Sequence, residues 1–203
     1  MIPRVVVIDT QTANVASVLA ALRRAGAETT LSACANVVAR ADRLLLPGVG
    51  SFEAGMKQLR RNGLVEPIRE HVTKGRPLLA VCLGLQLLCN ASEESPGVEG
   101  IGLVDAELSR FDEVRLVPQI GWNQVIPCAD SRLMRAGYAY FANSYRLTER
   151  PSGWSGAMSH YGRPFVAALQ RENLLACQFH PELSGPWGQA LIERSLQLGG
   201  PSC

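Results

Sequence analysis

Cys82, His180 and Glu182 are the residues whose types and settings could carry covalent chemistry. Cys82 ends the apolar run Pro77-Leu78-Leu79-Ala80-Val81 and is followed by Leu83-Gly84-Leu85-Gln86. His180 and Glu182 flank Pro181, just after a second apolar stretch, Leu174 to Ala176. A cysteine nucleophile needs a histidine to take its proton, and that histidine needs a third group to hold its ring. In the order Cys, His, Glu, all three are available at strand ends.

The elements that must position them follow from the local pattern. Pro77 to Val81, with Gly75 ahead of it, reads as a fully buried strand of a parallel sheet. Leu85, Leu88 and Cys89 then recur at helical spacing, so the chain must turn sharply from strand to helix at Cys82. Small residues two before and two after, Ala80 and Gly84, are what a nucleophile elbow requires. The turn sets Cys82 at a helix amino terminus, where free N–H groups favour a thiolate and a developing oxyanion. The plainer alternative is that Cys82 packs as a small core residue, as most cysteines in apolar runs do.

The whole chain sets further bounds. With 203 residues and 47% hydrophobic content, it is expected to form one domain over 1–203 with a sizeable core. A net charge of +2 without long runs of either sign gives no reason to invoke nucleic acid or an anionic membrane surface. No apolar run approaches the ~20 residues of a spanning helix, and no signal-peptide pattern precedes Val5-Val6-Val7-Ile8, so a cytoplasmic location is expected. The six cysteines form no Cys-x-x-Cys pair and share no spacing with a histidine pair. Free thiols in a reducing compartment, with no metal and no cofactor, are the expectation.

Taken in order, Val5 to Ile8 reads as a strand, followed by a helix bearing Val15, Val18, Leu19 and Leu22. Thr29 to Leu31 and Arg43 to Leu46 read as further strands, and a helix starts at Glu53. Such alternation argues for an α/β fold with an open, mostly parallel sheet flanked by helices. The loop Pro47-Gly48-Val49-Gly50-Ser51-Phe52 follows a strand, and ligands of open α/β sheets bind beyond the strands' carboxyl ends. Alone, it reads first as a plain tight turn. From about Ser92 the segments Val104 to Phe111, Leu116 to Pro118, Asn123 to Ile126, Tyr138 to Phe141, Ser155 to His160, Phe165 to Gln170 and Leu174 to Gln178 read as short, additional antiparallel strands, added to the parallel sheet or packed beside it, before a last helix over Gly188 to Leu198. Among residues read as structural, His71 is expected on a surface helix without a partner, Glu93-Glu94 as a solvated pair, Trp122 as a core aromatic and Cys89 as helix packing. His160 is the rival base, but no carboxylate follows it.

Cys82-Leu83-Gly84-Leu85-Gln86 with Phe179-His180-Pro181-Glu182 resembles the class I glutamine amidotransferases. Pro47 to Phe52, Gly121-Trp122-Asn123 and Gln178 to Gly185 narrow the resemblance to the glutaminase subunits of imidazole glycerol phosphate synthases. It implies hydrolysis of L-glutamine to glutamate and ammonia, with the ammonia passed to a (βα)8-barrel cyclase subunit in a heterodimer. By carry-over, Cys82 is the nucleophile, His180 the base and then acid, and Glu182 the orienting carboxylate. Backbone N–H groups of Leu83, Val49 and Gly50 would make the oxyanion hole. Gln86, Glu94, Ser144 and Tyr145 would line the glutamine site, and Asn14, Gly121, Trp122 and Asn123 would face the barrel. The chain departs from the family pattern at Thr10 to Ala13, at Gln119 and at Asn143, the last two standing where histidine is common. Two rival readings remain: the glutaminase of another synthase, and a binding module whose cysteine only packs.

Overall fold

The computed structural model describes residues 2–10, 15–112 and 116–199; the expectation for Asn14 lies outside them. The first half alternates as its apolar pattern requires: β1 (Arg4–Ile8), α1 (Val15–Arg24), β2 (Glu28–Ser32), α2 (Ala35–Ala39), β3 (Arg43–Leu46), α3 (Phe52–Arg61), α4 (Val65–Thr73) and β4 (Leu78–Val81). A short α5 (Leu83–Leu88) leads into β5 (Cys89–Ser92) and β6 (Val104–Arg110). The second half is built from β7 (Gln119–Pro127), β8 (Gly137–Asn143), β9 (Tyr145–Arg146), β10 (Ser155–Tyr161), β11 (Arg163–Arg171) and β12 (Leu174–Cys177), then a 3-10 turn (Pro181–Leu183) and α6 (Gly185–Ser195).

Among the described residues, nine strands form one sheet in the order β2-β1-β3-β4-β12-β11-β10-β7-β8. The run from β2 to β12 is parallel and the rest antiparallel. Every residue of β4 is buried because the sheet is covered on both faces. Leu78 and Ala80 enter a core with Met56 and Leu59 of α3, whereas Leu79 and Val81 enter a second core with Leu22 of α1 and Leu191 of α6. Parallel pairing of β4 with β12, register Leu78↔Leu174 through Val81↔Cys177, is the long-range step that matters. It brings the carboxyl ends of these two strands side by side, together with the residues just beyond each end.

Four sequence expectations are corrected. Cys89 does not extend the helix after Cys82; it opens β5, because Ile101, Leu103 and Gly102 donate their N–H groups to the carbonyls of Leu87, Leu88 and Cys89. Leu116 to Pro118 is not a strand, and pairing begins at Gln119. His71 is not a surface residue: it is buried on α4, with Nε2 2.9 Å from the Pro77 carbonyl. The last helix also starts earlier than its periodicity suggests, at Gly185, with Pro186 in its first turn.

Candidate active site

The turn after β4 has the strain a nucleophile elbow demands. Cys82 sits at φ 53° and ψ −110°, one of two non-glycine residues with positive φ among those described. Its N–H donates to the Cys177 carbonyl at 2.7 Å, which fixes the bend to the end of β12. Gly84 is required by contact, since a Cβ there would stand 2.0 Å from the Leu46 carbonyl oxygen. The small residues flanking the cysteine therefore let α5 lie against the end of β3.

His180 is held by a separate set of bonds. Its N–H donates to the Tyr140 carbonyl at 2.9 Å, and its own carbonyl accepts from Ser184 Oγ, which in turn accepts from Tyr140 N–H. With the backbone locked, Nδ1 lies 2.8 Å from Glu182 Oε1, and both side chains are only 7% exposed. That leaves Nε2 to face Cys82. Burial opposes protonation of the ring, but hydrogen bonds to Cys82 and Glu182, with the negative charge of both, push its pKa up to about 10. The imidazolium is the form this setting favours.

Cys82 and His180 line one cavity of about 280 Å³, a size suited to a single amino acid. Val49, Gly50 and Leu83 stand on one side of it, and Gln86, Glu94, Ser144 and Tyr145 on others, so every residue assigned from the sequence to the triad's surroundings is gathered there. Glu94 is not a loose surface carboxylate: Oε2 accepts from Phe52 N–H at 2.7 Å and so ties the segment after β5 to the start of α3. Glu93 is likewise engaged, by Arg110 N–H. The Leu83 N–H donates to the Gly48 carbonyl at 3.4 Å, which occupies one of the proposed oxyanion donors with a long bond. Larger clefts exist, one around Asp130 and Arg150 (about 690 Å³) and one around Arg110 and Asp112 (about 650 Å³), but neither is lined by a cysteine or a histidine.

The motif at 121–123 divides by side chain. Trp122 is 58% exposed, not core, and projects from β7 with its ring edge-on to Tyr140. Asn123 is used locally, donating to the His160 carbonyl. Gly121 adopts φ +133°, open only to glycine without strain. His160 itself is exposed on β10 and stands outside the cavity.

Sequence reading missed Gln178 as a member of the site. Its side chain is fully buried, its Nε2 lies 3.8 Å from Cys82 Sγ, and its Oε1 accepts from Gln86 Nε2 at 3.1 Å. The signal was present: an amide between Cys177 and Phe179 in an apolar strand end must find partners inside. Pro118 and Asn143 also line the cavity without having been assigned to it.

A model of the glutamine amidotransferase class-I family matches residues 6–198. The imidazole glycerol phosphate synthase subunit HisH of Salmonella typhimurium is 40% identical over 199 residues, covering 96% of this chain and 99% of its own. The same subunit from Escherichia coli K12 is 41% identical over the same shares of both chains. Among solved structures, a glutamine amidotransferase superposes with TM-score 0.76 at 18% identity over 95% of this chain and 96% of that one. PurLQS from Thermotoga maritima superposes with TM-score 0.74 at 17% identity over 97% and 98%. These last two speak to the fold.

Proposed function

Because the chain belongs to the class-I glutamine amidotransferase family, we propose that its single domain is the glutaminase subunit of an imidazole glycerol phosphate synthase, with Cys82, His180 and Glu182 as its triad. The observation that carries this is the ring of His180, held by Glu182 on Nδ1 and lining, together with Cys82, a cavity the size of one amino acid.

An amide carbon is a poor electrophile, so attack requires a thiolate, donors for the oxyanion and an acid for the leaving nitrogen. Cys82 sulfur adds to the side-chain amide carbon of glutamine. The oxyanion is met by backbone N–H groups of Leu83 and of the Val49-Gly50 loop. His180 Nε2 gives its proton to the departing nitrogen, so ammonia leaves and a thioester remains. A water then attacks that thioester, His180 takes its proton, and glutamate is released with the sulfur regenerated. Glu182 keeps the ring oriented and its proton in place throughout.

The ammonia is passed to a (βα)8-barrel cyclase partner, where it serves the formation of imidazole glycerol phosphate and aminoimidazole carboxamide ribotide. Support for a docked partner comes from the apolar face beside the triad: Ile120, Trp122, Tyr138 and Leu183 are all exposed there. Trp122 sits within reach of Gly185, immediately past the triad's turn. Among the described residues no helix is long and apolar enough to cross a membrane. The proposed setting is the cytoplasm.

The test is glutamate release by the chain alone, with the barrel subunit, and with the barrel subunit and its nucleotide. With the Leu83 N–H taken by Gly48, activity of the chain alone is expected to be low and to rise at least tenfold with partner and nucleotide. High activity alone, unchanged by either addition, overturns the assignment.

A further inference from the structure

We propose that Gln178 is an additional catalytic residue, whose Nε2–H donates to the reacting sulfur of Cys82 in an orientation locked by Gln86. The proposal rests on the reading of Cys82 as nucleophile and extends it.

Orientation follows from the bonds. Gln86 Nε2 can only donate, and it donates to Gln178 Oε1 at 3.1 Å, so the other end of the Gln178 amide, its NH2, must face Cys82 Sγ at 3.8 Å. Turned over, the amide would set its oxygen against the sulfur and its NH2 against the NH2 of Gln86. Two repulsions would replace two bonds. The backbone is equally fixed, with Gln178 N–H bound to the Ala167 carbonyl at 2.8 Å.

The electrostatics give this donor its force. Gln178 is 0% exposed, so no water competes for its N–H and no reorganisation is needed when charge gathers on sulfur. Donation favours the sulfur whenever it carries negative charge: as it attacks, and again as the thioester breaks and sulfur departs. The Ala142 carbonyl, 3.9 Å away on another side, can only accept and gives the anion no such help. Gln86 also reaches the Tyr145 carbonyl at 3.4 Å, and both Gln86 and Tyr145 line the cavity. A glutamine that displaces Gln86 is therefore felt at the sulfur through Gln178.

Gln178 does not itself line the cavity, which separates this role from substrate binding. Gln178→Met, which preserves length and removes the donor, is expected to lower kcat for glutamate release by the assembled enzyme about 10- to 100-fold, with KM changed less than about threefold. Alkylation of Cys82 by iodoacetamide at pH 6.5, read by mass spectrometry against half-buried Cys128 in the same sample, is expected to slow about tenfold or more. Gln178→Glu keeps the acceptor for Gln86 but sets an oxygen against the sulfur, and should lose at least as much; it carries the test if Gln178→Met does not fold. Unchanged kcat and unchanged Cys82 alkylation in a folded variant overturn the proposal. Cys82→Ala run alongside separates the two levels: if it still releases glutamate, the nucleophile reading itself fails, whatever Gln178 does.

Discussion

The N–H of Cys82 and the carbonyl of Cys177 are joined at 2.7 Å, so the bend that carries the proposed nucleophile is pinned to the strand that leads to the proposed base. Residues remote in sequence become a single rigid unit through the β4–β12 pairing. A deformation of either strand end must then act on both halves of the proposed triad.

Removing the sulfur should abolish turnover and spare the fold. Cys82→Ala deletes one buried atom from a small side chain, so unfolding should shift by no more than about 1–2 kcal/mol. Glutamate release with partner and nucleotide should fall at least about 10³-fold. A variant retaining a tenth of the activity would remove Cys82 from its role.

Raised protonation of His180 depends on its neighbours, and its sign can be followed by pH. Because the folded pKa, about 10, lies above the ordinary 6.5, the stabilisation it brings is present in full below pH 6.5 and is lost as pH rises through 10. Cys82→Ala and Glu182→Gln each remove a bond and a negative charge that raise it, while burial still lowers it. Histidine NMR titration should therefore show the His180 midpoint falling in both variants. A midpoint unmoved by loss of the sulfur would mean that the ring does not meet it.

Gly84 should accept no larger residue. A Cβ at this position meets the Leu46 carbonyl oxygen at 2.0 Å, a backbone atom that cannot swing aside. Gly84→Ala is expected to cost about 3 kcal/mol or more in denaturant unfolding and to disturb the elbow, with activity falling in parallel. Near-normal stability would show that α5 can move off β3.

Much of this was legible in the chain. The βα alternation, the strand ending at Cys82 and the paired His180 and Glu182 all carry local signatures, and the elbow's glycine is a steric requirement visible in one short motif. What local pattern does not encode is strand order. β12 is placed beside β4 by pairing that no periodicity announces, and with it come the contacts of Gln178 and the burial of Glu182. Cys89 misled because helical spacing persists past the point where carbonyls are captured by the segment at 101–103. Trp122 misled in the other direction, since tryptophan is buried as a rule and this one is more than half exposed on β7.

His71 should make the protein acid-sensitive away from the active site. Burial is the main cause that lowers its pKa, with Arg76 adding to it and the Pro77 bond opposing. Nδ1 is buried without a partner, so a second proton there has nothing to donate to. A depressed folded pKa means that stability is intact above about 6.5 and is lost as pH falls toward the folded value. His71→Gln can still donate to Pro77 but cannot charge. Urea unfolding at pH 7 and pH 5 should show the wild type losing more stability than the variant; equal losses would place the acid sensitivity elsewhere.

Trp122 should matter to assembly and hardly at all to folding. Its ring is more than half exposed, its edge-on contact is with Tyr140, and it borders an exposed face that includes Ile120 and Leu183. Large aromatics at the centre of such a face carry much of an interface's energy, so Trp122→Ala is expected to weaken binding of the proposed barrel subunit by about 2 kcal/mol, roughly 30-fold in Kd. Unfolding of the isolated chain should change by less than about 1 kcal/mol. Because Tyr140 is also the residue whose carbonyl anchors His180 N–H, part of the effect should reach catalysis: glutamate release at saturating partner should still fall short of wild type. Titration calorimetry for binding, and turnover at saturation, separate these two consequences. Wild-type affinity in the variant would move the docking face away from β7.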